Sequence, residues 1–246
     1  MNRTLKGAVA LATAVVLTTA GGFSWYYFAP PPAEALPLAP DLIAASSDQG
    51  RQLLAEAAHK TDLAQLGPVF VAQRRRAFCG PATSATVINA ALRPAERVTQ
   101  FSLFDTEAQD IKSELDVSMS GLSLEELAEL LEAHGLAVRT VYAEHADVAT
   151  FRRDAQAVLS EPDTFLIINY DREALDQEGP GHISPIGAYH AAADHVLVMD
   201  VAAFKYPHTW VPVHKLWDAM SQPVAGRTRG YLLVTADAGA SDTLQR

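Results

Sequence analysis

The sequence predicts an α+β fold, on three observations. Helical patterning is concentrated in the first half, two apolar runs joined by a short connection stand in the second half, and a helix-like segment starts at the only cysteine. The helical signal is clearest where Ser123-Leu124-Glu125-Glu126 forms a capping box ahead of Leu124, Leu127, Leu130 and Leu131. That apolar stripe ends at His134-Gly135. The strand signal is residues 183–189, opened by His182, followed by residues 195–201. Between them, Ala191-Ala192-Ala193-Asp194 is short enough for an antiparallel hairpin. At the cysteine, Pro81 suits a first helical turn, because it loses no needed N–H and has a helical φ. Cys79 or Gly80 then falls near the N-cap of a helix over 82–92.

In chain order, Arg3 and Lys6 precede an uncharged stretch, residues 7–29, that ends in Trp25-Tyr26-Tyr27-Phe28. It is long enough to cross a bilayer and its aromatics suit an interface, so residues 1–29 read as a transmembrane anchor or a signal peptide. The basic end belongs inside, which places the domain in the periplasm or another extracytoplasmic space, held at the inner membrane by this segment. Residues 30–45 read as a Pro/Ala-rich extended linker that spaces the domain from the membrane. Residues 46–235 read as one folded domain. Within it a helix is expected over 47–66, with Leu53, Leu54, Ala57 and Ala58 on one side, then a strand-like 68–71. Val87, Ile88 and Leu92 should bury the cysteine helix. Residues 99–120 carry only a weak pattern, read as irregular with some helix. Strands are expected over 136–142, 165–169 and 231–235, with a helix over 146–159. The tail, 236–246, has Leu244 as its one large apolar residue and reads as disordered. No internal repeat is seen.

The 246 residues are 49% hydrophobic and 20% charged, the composition of a globular domain. A net charge of −10 and a pI near 5.2 argue against nucleic acid, which needs a basic face. The basic run Arg74-Arg75-Arg76 is too short for such a face and reads as a solvated loop or a carboxylate-pairing patch. One cysteine excludes a disulfide within the chain. His190, His195, His208 and His214 form no compact ligand motif with cysteine or carboxylates, so no metal site is predicted.

The chemistry centres on Cys79. A thiol at a helix N-terminus faces unpaired N–H groups and the positive end of the helix dipole, both of which favour thiolate. With the hairpin turn centred near Ala191, residue 182 lies opposite residue 200, and both side chains share a face. A helix-borne Cys79, a strand-borne His182 and Asp200 orienting the imidazole make a papain-like arrangement, and the expected fold is that of papain-like cysteine peptidases. Amide cleavage by a thiol also needs donors for the oxyanion, and Gln73 is placed to supply one.

The segments Ala77-Phe78-Cys79-Gly80, Gly181-His182-Ile183-Ser184-Pro185-Ile186-Gly187-Ala188-Tyr189-His190, Asp200-Val201-Ala202-Ala203-Phe204-Lys205-Tyr206-Pro207 and Leu216-Trp217-Asp218-Ala219-Met220 resemble phytochelatin synthases, in chain order and spacing. What the resemblance implies is a glutathione substrate whose Cys carbonyl is attacked by Cys79, glycine leaving and a γ-Glu-Cys thioester remaining. Transfer to a second glutathione gives phytochelatin; transfer to water gives γ-glutamylcysteine. Arg172 and Arg229 match the family's two arginines that grip the γ-Glu carboxylate, and Gly181 and Ile183 fall in its substrate site. The resemblance also implies that thioester formation needs no cofactor and that a heavy-metal ion such as cadmium or zinc enters as the glutathione thiolate complex. A homodimer is a further family expectation. Two departures bear on the acceptor side: Ala203 stands where the family commonly has Arg, and Ser221-Gln222-Pro223-Val224 where an Asp is expected. With a single cysteine, the sequence carries no counterpart of the Cys-rich C-terminal region of plant members. Hydrolysis is therefore expected to exceed transfer. Two other readings use the same residues: a papain-like peptidase acting on secreted peptides, and a non-enzymatic metal–glutathione binder in which Cys79 is a ligand.

Overall fold

The computed structural model describes residues 21, 22, 24–105 and 107–236. Most of the anchor-or-signal segment and nearly all of the tail lie outside the described residues. Among the described residues, no helix is long and apolar enough to cross a membrane.

Residues 24–28 are helical, and the helices that follow are α1 Asp48–Glu56, α2 Thr61–Leu66, α3 Cys79–Leu92, α4 Ala108–Ile111, α5 Glu114–Ser120, α6 Leu124–Ala133, α7 Val148–Val158 and α8 Val213–Met220. The strands are β1 Ile43–Ala44, β2 Ala137–Tyr142, β3 Thr164–Tyr170, β4 His182–His190, β5 His195–Val198, β6 Thr209–Pro212, β7 Pro223–Val224, β8 Arg227–Thr228 and β9 Gly230–Thr235. Seven of them form one antiparallel sheet in the order β1-β6-β5-β4-β3-β9-β2, and β7 with β8 make a small ribbon. The fold is α+β.

Both faces of the sheet are covered. Phe165, Ile167, Leu232 and Val234 point into a core shared with Val87 and Ile88 of α3 and Leu127, Leu130 and Leu131 of α6. The alternate residues, Leu166, Ile168, Tyr231 and Leu233, enter a second core with Phe151 of α7 and Leu216 of α8. That is why β3 reads as an unbroken apolar run and shows no alternation. The capping box of α6 forms as its sequence predicts: Glu126 N–H donates to Ser123 Oγ at 3.1 Å and Ser123 N–H to Glu126 Oε2 at 2.7 Å.

Four expectations are corrected. The helix over 47–66 is broken: Ala57 is extended, and the carbonyl of His59 accepts from Tyr189 N–H at 2.7 Å, so the chain turns to meet β4. Residues 68–71 are not a strand, because Gly67–Val69 form a 3₁₀ turn with proline in its first positions. The linker does not hold the domain at a distance. Glu34 and Leu36 donate backbone N–H groups to Phe204 and Lys205 carbonyls, Leu38 and Ala39 pack on the second core, and Ile43–Ala44 extends the sheet edge. Its leucines find apolar partners on the domain, which a solvated spacer would forgo.

The fourth correction concerns the hairpin. Near its turn His190 pairs with His195 and Ala188 with Leu197, but beyond a bulge at Gly187 the register becomes Ile186 with Val198. Continued, it sets residue 200 opposite Ser184 rather than His182, past the end of β5. The extra residue still matters for parity: without it, position 200 would fall on the other face from His182. Glycine suits the bulge, since an added Cβ there would lie 2.9 Å from Met199 Sδ.

Gly230 opens β9 where an added Cβ would lie 2.0 Å from the Val141 carbonyl oxygen. Gly230→Ala is expected to lose about 1–3 kcal/mol or more of stability, read as a lower urea midpoint at unchanged slope. An unmoved midpoint contradicts the close approach.

Candidate active site

Cys79 is the first residue of α3, with Phe78 at the N-cap. The first helical bond runs from Ala82 N–H to Phe78 carbonyl at 2.9 Å, so the N–H groups of Cys79 and Gly80 have no backbone acceptor, and Pro81 has no N–H. The helix is buried on nearly all sides, and Thr83 Oγ1 donates to the Ile183 carbonyl at 3.3 Å, pinning α3 to β4. Gly80 lets Leu122 approach closely, since a Cβ there would meet Leu122 Cδ1 at 2.8 Å.

The loop before Cys79 is held from inside and outside. Gln73 N–H donates to the Val201 carbonyl at 2.8 Å, while its side-chain Nε2 donates to the carbonyls of Arg75 and Arg76 at 3.1 and 3.0 Å. The Arg75 guanidinium donates to Glu114 at 2.7 Å and Ser118 at 2.8 Å, and lies against the rings of Phe28, Phe78 and Phe101. The carboxylate-pairing reading of this basic run therefore describes Arg75.

Opposite α3, His182 Nε2 and Asp200 Oδ1 are 2.9 Å apart, which leaves Nδ1 for the Cys79 sulfur, whose ionisation the ring shifts. Arg172 Nη2 donates to both Asp200 oxygens at 2.9 Å, and its Nη1 donates to Gln177 Oε1 at 2.7 Å. Ala202 N–H donates to Asp200 Oδ1 at 2.8 Å. His182, Asp200 and Arg172 are only 5%, 2% and 3% exposed. The edge of Tyr170 stands against the imidazole, with ring centroids 5.7 Å apart.

Each charge state follows from its neighbours. Burial pushes the Cys79 thiol up, but the hydrogen bond and positive charge of His182, with the N–H groups of Ile183 and Gly80, bring it below its ordinary value. Burial and the Arg172 charge press His182 down, yet Asp200 and Cys79 together raise it. Burial alone would raise Asp200, and the charges of His182 and Arg172 hold it far below the usual carboxylate range. A sulfur anion beside an imidazolium is what this environment favours.

The structure thus brings Cys79, His182 and Asp200 together. It places the other candidates differently from expectation. Gln73 spends both amide N–H groups on the loop that precedes the nucleophile, so its carboxamide shapes that loop. Arg172 is committed to Asp200 and Gln177, so it does not present a free fork to a substrate carboxylate. Ile183 buries its side chain in the core, and only its N–H faces the sulfur. Arg229 lies against Gly181, where an added Cβ would come within 2.0 Å of its Nη1, and it donates to Asn169 Oδ1 at 3.2 Å and Asp171 Oδ2 at 3.0 Å. Its Nε is buried and without a partner. Sequence reasoning missed the Arg172–Asp200 pair and the contributions of Gln177, Tyr170 and Asn169. The signal that finds them is the pairing of β3 with β4, which sets Tyr170 opposite His182. Among the described residues, no three His, Cys, Asp or Glu side chains gather as a metal site.

A family model described as Phytochelatin synthase matches residues 33–231. The chain belongs to the phytochelatin synthase family. Its relatives include glutathione gamma-glutamylcysteinyltransferase 1 of Lotus japonicus, 36% identical over 80% of this chain and 41% of that protein, and the enzyme of the same name from Triticum aestivum, 34% identical over 83% and 43%. The glutathione gamma-glutamylcysteinyltransferase of Schizosaccharomyces pombe is 30% identical over 69% and 42%. The chain spans less than half the length of these curated relatives. Among solved structures, xylellain, a cysteine protease from Xylella fastidiosa, aligns with a TM-score of 0.43 at 10% identity, covering 86% of this chain and 96% of that one, a likeness too weak to assign a fold.

In this phytochelatin synthase family member the buried Asp200 carboxylate is held by two partners, Arg172 and His182. Its folded pKa lies below the unfolded value of about 3.9, so its contribution to stability is present above that value and is lost as pH falls through the folded one. Arg172→Met removes one of the two cations that depress it. The variant is expected to be less stable by about 3–5 kcal/mol at neutral pH and to begin acid unfolding at a higher pH. Circular dichroism across pH checks this, and an unchanged acid midpoint contradicts it.

Proposed function

We propose that this chain is a papain-like cysteine acyltransferase that removes glycine from glutathione through a γ-Glu-Cys thioester on Cys79. The observation that carries the reading is the Cys79–His182 pair at the start of α3, in a family whose named members transfer γ-glutamylcysteinyl groups. The thiolate attacks the Cys–Gly amide carbonyl, the C–N bond breaks, and the His182 imidazolium gives its proton to the departing glycine nitrogen. The imidazole then accepts a proton from water, or from the α-amine of a second glutathione, as that nucleophile displaces sulfur. The thiolate is restored and the product is γ-glutamylcysteine or phytochelatin. Asp200 keeps Nδ1 directed at sulfur by holding Nε2. The free N–H of Cys79 is placed to receive the oxyanion, and Gln73 supports it by fixing the loop.

Arg229, set against Gly181 with an unpaired Nε, is the residue best placed for the γ-Glu carboxylate. Arg172 acts one step further back, through Asp200. Hydrolysis exceeds transfer in this proposal, because exposed Ala203 offers no cation on the acceptor side and Ser221 and Gln222 offer no carboxylate. A heavy metal enters as part of a glutathione thiolate complex.

Intact-protein mass spectrometry after brief exposure to glutathione and acid quench tests the reading. A γ-Glu-Cys adduct on Cys79 with release of free glycine is expected, and Cys79→Ser abolishes both. Arg229→Gln is expected to lower kcat/KM by about tenfold to a hundredfold, the usual effect of losing a hydrogen bond between charged groups. Acylation of Cys79 by unmodified α-linked peptides but not by glutathione would establish the peptidase reading instead.

A further inference from the structure

Residues 26–36 run from one wall of the site to the other. At one end, the rings of Tyr26 and Phe28 lie 4.8 and 5.1 Å from the guanidinium carbons of Arg76 and Arg75, just before Cys79. At the other, the N–H groups of Glu34 and Leu36 donate to the carbonyls of Phe204 and Lys205 at 2.8 and 3.0 Å, just after Asp200. Ala29-Pro30-Pro31-Pro32-Ala33 joins the two latches. Three consecutive prolines keep this piece extended and leave it little freedom to lose on docking. The two walls also touch each other, through Gln73 N–H and the Val201 carbonyl at 2.8 Å, and the segment spans that seam. Glu34 adds a negative charge that Lys205 senses together with Asp200.

The sheet order says which end of a substrate faces the seam. On one side of His182 in β4 lie β3 and β9, with Asn169, Asp171 and Arg229 at their ends, the γ-Glu side in the function proposed above. On the other side, β5 leads to Asp200 and Val201. A molecule held at Arg229 with its Cys carbonyl at Cys79 directs its glycine towards the seam. An incoming acceptor occupies the space that glycine leaves.

We propose that residues 26–36 are a strap over the acceptor side of the cleft, which admits water and restricts a second tripeptide, and so biases the thioester towards hydrolysis. The acceptor consequence rests on the γ-Glu-Cys reading; the strap itself does not. Two full-chain variants unlatch it without touching the catalytic residues: Glu34→Pro with Leu36→Pro, which removes both backbone donors, and Tyr26→Ala with Phe28→Ala, which removes both ring contacts. Cys79 is the only thiol, so its alkylation reports access directly.

Unlatching is expected to speed reaction with a fluorescein maleimide about tenfold, the scale of two lost backbone hydrogen bonds, while reaction with iodoacetamide changes less than twofold. It is also expected to raise the ratio of phytochelatin to γ-glutamylcysteine formed from glutathione. Wild-type maleimide rates in both variants overturn the strap. Faster maleimide reaction with an unchanged product ratio overturns its control of the acceptor. Faster maleimide reaction with no adduct from glutathione in any chain leaves the strap standing and overturns the proposed function.

Discussion

A row of four ionisable groups, buried Arg172, Asp200 and His182 and half-buried Cys79, is the constraint on which the site depends. A carboxylate this deep in the protein is tolerable only when paired, and Arg172 and His182 both hydrogen-bond to Asp200. Arg172 largely offsets the charge of Asp200, and it opposes protonation of His182 while Asp200 favours it. Asp200 remains the larger support of the imidazolium and Cys79 a smaller one, while the sulfur anion is supported chiefly by His182. Burial works against both charges, and each is offset by its charged neighbours.

The fold exists around this row in a specific sense. Two cores clamp the sheet from both faces, so β3 and β4 cannot slide, and Thr83 fixes the cysteine helix to the carbonyl of Ile183. The bulge at Gly187 corrects the parity of the hairpin so that Asp200 reaches the face of His182. From the other side, Gln73 and Arg75 lock the loop that delivers Cys79 to the first turn of α3. An added methyl group at Gly80 or Gly181 would collide with the Leu122 or Arg229 side chain beside the site, and one at Gly230 with the backbone of β2.

Much of the architecture is legible in the amino-acid order. The α6 capping box, the buried run of β3, the hairpin and the helix that starts at Cys79 each carry a local signal of turn chemistry or periodicity. What escapes has non-local causes. No pattern in residues 47–66 announces that the chain must break at Ala57 to meet Tyr189. The short strands β1 and β6 pair only because the sheet offers them an edge, and a Pro-rich segment with scattered leucines gives no sign that it lies on the domain. At the site, the Cys–His–Asp spacing is readable, whereas the destination of Arg172 is not. A cation near a family site suggests a substrate clamp, and only the pairing of Tyr170 with His182 shows that residue 172 arrives beside Asp200. The Gln73 carboxamide is similar: its position before the nucleophile is visible, while its use on the Arg75 and Arg76 carbonyls depends on the fold of the loop.

The ionisation of Cys79 is the most direct test of the central claim, and a chain with one thiol makes it accessible. Thiolate absorbance near 240 nm is followed against pH for the full chain and for His182→Gln, each after subtraction of a Cys79→Ser control. The account predicts a midpoint below the ordinary thiol value of about 8.5 in the parent chain and above it in the variant, where burial acts unopposed. Coincident midpoints at or above that value in both chains would contradict it.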